Sequence, residues 1–110
     1  MSQPIKPREA LEALWNFAPM YAKAKGERVY LEEFRKTMKA QLMKEREGTP
    51  IAAQEREAYA DPRYIAHLKG LQAAVEAEET LRWRLVAAQA AVEVWRSQEA
   101  SNRTMDRSAA

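Results

Sequence analysis

Tyr30, Phe34, Met38 and Leu42 recur every four residues, with Leu31 beside them, and form one apolar helical stripe. A second and longer stripe runs through Leu81, Leu85, Ala88, Val92 and Trp95 at alternating spacings of four and three. That alternation is a heptad seam, the pattern of helices that pack along their length. Traced backwards, the seam meets Glu78, Ala74, Leu71 and His67. Glu78 is a polar interruption, a device that fixes register at some cost in stability.

Breakers divide the chain. Pro4 and Pro7 make an extended lead-in, and Ala10, Leu11, Ala13, Leu14 and Trp15 predict a short helix from Arg8 to Asn16 that Pro19 ends or kinks. A helix of about 42 Å follows from Met20 to Glu47. It stops at Glu47-Gly48-Thr49-Pro50, where Gly suits the position after a helix end and Pro cannot continue it. Ile51 to Ala60 has enough Ala for a short helix, and Asp61-Pro62 is an N-cap followed by Pro at the first helical position. The last helix then runs to about Asn102, roughly 60 Å. The expected organisation is a lead-in with short helix over 1–19, a helical hairpin domain over 20–104 and a flexible tail over 105–110.

The fold class is therefore all-α: a helical hairpin with a long C-terminal helix. Since the second helix is shorter than the third, part of the seam has no partner in its own chain. This predicts a homo-oligomer with Leu81, Leu85, Ala88, Val92 and Trp95 in its interface.

Composition narrows the chemistry. A chain of 110 residues with no Cys and one His excludes disulfides, thiolate sites and a multi-histidine metal site within one chain. No apolar run approaches the ~20 residues of a membrane span, and Met1 to Pro7 lacks the apolar core of a signal peptide, so the expected setting is the cytoplasm. His67 has no nucleophile or acid placed beside it by any motif, and Glu32-Glu33 and Glu78-Glu79 point about 100° apart on a helix. Gly26, Gly48 and Gly70 are isolated and make no phosphate loop. The expectation is no enzyme, no catalytic residue, no metal and no cofactor.

Net charge is only +2, but its distribution is uneven. Residues 20–46 hold eight Lys/Arg against four Glu, residues 47–79 hold three against seven acids, and residues 80–110 hold five against three. Two groups are candidates for phosphate contacts. Arg28, Arg35 and Lys39 share a helical face at spacings of seven and four, whereas Lys36 has Glu32 four residues before it. Arg82 and Arg84 flank Trp83, which points away from the seam, and Arg96 and Arg103 share a face near the helix end. Arginines for phosphates and a ring for base stacking make a single-strand site. The alternative is that the arginines lie on solvated helix faces and that Trp83 and Trp95 are oligomer or hairpin core, their rings covered by arginine stems.

The stretches Gly26–Lys36, Leu81–Gln89 and Trp95–Arg103 resemble small helical proteins of phages and prophages. The layout is similar to the UvsY-type phage recombination mediators: a basic helix (Lys36, Lys39, Leu42, Lys44), an irregular linker, and a long apolar helix ending in Arg96-Ser97. The likeness covers about residues 20–103. It implies an oligomeric helical protein of the host cytoplasm that binds single-stranded DNA without sequence preference. Such a protein helps load a recombinase or annealing protein onto strands coated by single-strand-binding protein. The alternative from the residues alone is a non-enzymatic helical adaptor or structural oligomer that binds protein only.

Overall fold

Pro19 does not end the first helix. In the computed structural model, which describes residues 6–109, α1 runs unbroken from Pro7 to Lys44. A proline inside a helix removes one backbone hydrogen bond and costs about 3 kcal/mol. Two features offset that cost. Trp15, whose carbonyl loses its donor, and Pro19 itself are both exposed, so water can reach the freed group. The positions Ala10, Leu14, Phe17, Tyr21, Ala24, Arg28 and Leu31 stay in one heptad phase through the proline, and all are at least partly buried. Full burial of a single large apolar side chain contributes about 1.5–3 kcal/mol, so several such contacts outweigh the break.

The downstream signals behave as their chemistry dictates. After Lys44 the chain turns, and Gly48 takes φ 99°, a conformation that suits glycine. α2 is Ile51–Ala60 and α3 is Pro62–Ala109. Asp61 joins them in extended backbone, and its Oδ1 accepts the Arg63 backbone N–H at 2.8 Å, capping α3. α3 continues past Asn102, so residues 105–109, expected as a tail, are helical. Among the described residues there is no strand, and no helix is long and apolar enough to cross a membrane.

The chain divides into two compact units. The central unit, residues 22–79, holds the later part of α1, all of α2 and the start of α3. There α1 and α3 are antiparallel, as the ion pairs Arg28–Glu78 and Glu45–Arg63 require. Its core is Leu42, Ala58 and Tyr64, with Met38 and Met43 packed against them. Ala58 is 0% exposed; its small side chain lets α2 lie close to its neighbours. The terminal unit, residues 6–21 with 80–109, pairs the first turns of α1 with the later part of α3.

This pairing changes the reading of the seam. Because α1 begins at Pro7 rather than Met20, its first turns supply the partner that the sequence appeared to lack. Ala88 is buried, and Leu81, Leu85, Val92 and Trp95 are half-buried, within a single chain. These five residues already have cover within one chain, so their apolar character does not by itself call for a second copy. Past the seam, every residue of α3 from 100 to 109 is open to solvent.

Candidate functional site

The candidate residues fall into the two units, and the units treat them differently. In the central unit Arg28 and Lys39 are engaged by carboxylates. Arg28 donates from Nε to Glu78 Oε2 at 2.6 Å and from Nη2 to Glu78 Oε1 at 3.0 Å. Its Nη1 bonds Glu32 Oε2 at 2.8 Å. Glu78 is buried on the seam, so the polar interruption is satisfied by a two-pronged pair across helices. Glu78, then Glu32, hold Arg28 above the usual guanidinium value. Arg28 is thus engaged within the fold by two carboxylates.

Lys39 Nζ bonds Glu55 Oε1 on α2 at 2.8 Å and lies 4.8 Å from the centre of the Tyr59 ring. Glu55, then Tyr59, raise its pKa above the ordinary lysine value. Arg35 is exposed. Lys36 pairs with Glu33 at 3.5 Å rather than with Glu32, which Arg28 has taken. His67 donates from Nε2 to the Leu31 carbonyl at 2.7 Å and tilts against Phe34 at 5.6 Å, which makes it a packing residue of the seam.

At the α2–α3 corner, Arg63 bridges two helix ends. It bonds Glu45 through Nη1 and Nη2, at 3.0 and 2.6 Å, and Asp61 through Nε and Nη2. Arg63 holds the Asp61 carboxyl at about 2, below its ordinary 3.8, first through the side-chain bond and then through its backbone N–H. The same guanidinium lowers Glu45.

The terminal unit is less tied down. Trp83 is 58% exposed, with the Arg82 guanidinium 4.6 Å from its ring centre. Within the single chain it is a surface ring and not part of the hairpin core. Arg84 lies over Phe17 of α1 at 5.5 Å. Arg96 pairs with Glu93 at 3.0 Å on an open face, and Arg103 is exposed. A feature that the charge pattern did not single out is apolar. Trp15 is 84% exposed, and with Leu11, Leu14, Ala18 and Pro19 it lines a shallow recess of about 530 Å³ on α1. The signal was in the sequence: Leu11, Trp15 and Ala18 lie one step beside the seam positions Ala10, Leu14 and Phe17.

Among the described residues no group of three or more His, Asp or Glu is placed to hold a metal ion. The central unit carries 11 Lys/Arg and 11 Asp/Glu, and the terminal unit, with its end residues included, carries seven and five. Neither has the charge excess that draws a polyanion over a whole surface. No family model matches the chain, and comparison with curated proteins and with solved structures likewise finds no match.

Proposed function

We propose that this chain is a non-enzymatic helical adaptor, working in the cytoplasm, that binds another protein through the apolar surface of its terminal unit. The observation that carries this reading is Trp15 at 84% exposure within an apolar recess, with Leu11 56% exposed beside it. Large exposed apolar patches on small proteins mark interaction surfaces, and Trp is the side chain most enriched among binding hot spots. The electrostatics support the same reading, because Arg28, Lys39 and Arg96 are each paired with a carboxylate.

A second reading keeps single-stranded DNA, in the setting of phage recombination or replication, with a recombinase or single-strand-binding protein as the further partner. It is favoured by one observation, the exposed Trp83 ring with Arg82 stacked on it. Fluorescence anisotropy of labelled oligo-dT at low salt separates the two. The adaptor reading expects no saturable signal at tens of micromolar protein. The DNA reading expects binding that weakens with salt by a logarithmic slope of about 0.7 per phosphate neutralised, and a loss of about 1–3 kcal/mol in Trp83→Ala.

A further inference from the structure

A second recess lies in the central unit, separate from the apolar surface on which the adaptor reading rests. It has a volume of about 530 Å³ and is lined by Arg35, Lys36, Lys39, Tyr59 and Tyr64. Helical spacing explains the cations: positions 35 and 39 are one turn apart on α1, and 36 adjoins 35. α2 and α3 supply the rings. Tyr64 is buried and forms the floor, and Tyr59 stands edge-on to it at 5.3 Å while remaining 45% exposed.

The three cations differ in what already holds them. Lys39 is fixed, bonded to Glu55 and lying over the Tyr59 ring. Lys36 has only a 3.5 Å contact with Glu33, both side chains being more than two-thirds exposed; such a pair is easily exchanged for a better one. Arg35 presents its guanidinium fork to solvent. None of the lining residues is acidic, although the unit as a whole has equal numbers of acids and bases. With Glu33 and Glu55 paired to Lys36 and Lys39, the local excess is the one charge of Arg35, and it rises when Lys36 exchanges its partner.

The geometry points to a site for a phosphate monoester dianion whose organic part carries a flat ring. Two cations with replaceable or no partners match the two charges of a monoester. The Arg35 fork takes two terminal oxygens, and Lys36 takes the third. Lys39 keeps Glu55 and presents its remaining N–H groups. The exposed edge of Tyr59 offers the ring a packing surface. A carboxylate has one charge and two oxygens, and an internal phosphodiester has one charge, so each fills less of the site.

The test is ¹H–¹⁵N NMR titration of the full chain with phenyl phosphate and with inorganic phosphate at pH 7.5, against sodium chloride at matched ionic strength. Saturable shifts confined to residues 35, 36, 39, 59 and 64 are expected from both ligands, tighter with phenyl phosphate. A tighter phenyl ester supports the aromatic monoester, and equal affinity would overturn the role given to the Tyr59 edge. The double variant Arg35→Ala/Lys36→Ala removes two exposed side chains, so its helicity should be unchanged by circular dichroism. Its affinity should fall at least roughly tenfold, as loss of charged hydrogen bonds requires. Shifts that stay linear and extend equally to Lys23 and Lys25 would overturn the proposal, as would a double variant that keeps wild-type affinity. Oligo-dT binding does not enter this result, so the site and the adaptor reading fail separately.

Discussion

The central and terminal units are built on the same heptad seam of α3 yet are closed by different forces. In the central unit the seam positions are Tyr64, His67, Leu71, Ala74 and Glu78, and directed bonds join the elements: Arg28 to Glu78, His67 to the Leu31 carbonyl, Lys39 to Glu55 and Arg63 to Glu45. In the terminal unit the seam is Leu81, Leu85, Ala88, Val92 and Trp95, with Arg84 lying over Phe17 across the helices. Polar bonds with fixed geometry specify register, whereas apolar seams mostly contribute burial. The central unit is thus the part that sets which residues face each other. The terminal unit is the part with Trp15 and Trp83 left on the surface.

The largest expected effect is in the central core. Leu42 is 4% exposed between Ala58 and Tyr64, so Leu42→Ala should destabilise the chain by about 2–5 kcal/mol in urea unfolding. A loss below about 1 kcal/mol would mean that this core is not where the fold is held.

Next comes Pro19. If α1 is continuous, Pro19→Ala restores a backbone hydrogen bond and should stabilise by up to about 3 kcal/mol. A destabilised variant would mean that the helix needs its break and that the pairing in the terminal unit is misassigned.

The Glu78 pair tests the contrast between the units. Glu78→Leu leaves the half-buried Arg28 with only Glu32 and should lower the melting temperature. Adding Arg28→Leu should restore most of the loss, since an apolar pair can replace a buried ion pair without penalty. Additive losses in the double variant would contradict the coupling.

A smaller effect follows from pH. Asp61 titrates at about 2 when folded against an ordinary 3.8. A lowered carboxylate contributes stability that is complete above its unfolded value and is lost as pH falls through the folded one. Stability should therefore decline between about pH 4 and pH 2 on this account, and Asp61→Asn, which keeps a capping side chain, should flatten that part of the profile. Thermal melts across this range check it; an unchanged slope in the variant would remove Asp61 from the explanation.

Local chemistry was the legible part of this molecule. Asp61-Pro62 announced the start of α3, Gly48 the turn after α1, and spacing alone fixed the phase of the seam, Glu78 included. Three things could not be read. The continuity of α1 through Pro19 depends on burial that only the pairing with α3 supplies. The partner of Glu78 lies 50 residues away, and Lys39 meets Glu55 only because α2 folds back beside α1. Charge patterns along a helix identify faces, but tertiary pairing decides which charges are spent inside the fold. That is why Arg28, Arg35 and Lys39, alike in sequence phase, end in three different states.

The central claim is that the terminal unit meets a protein partner through the Trp15 surface. Its most direct test is site-specific photocrosslinking in the source cells, with p-benzoylphenylalanine at position 15 and, for comparison, at the exposed position 56 of the central unit. The account predicts a discrete protein adduct from position 15 that Leu11→Asp abolishes, and none from position 56. Equal adducts from both positions, or crosslinks from position 15 to nucleic acid alone, would contradict it.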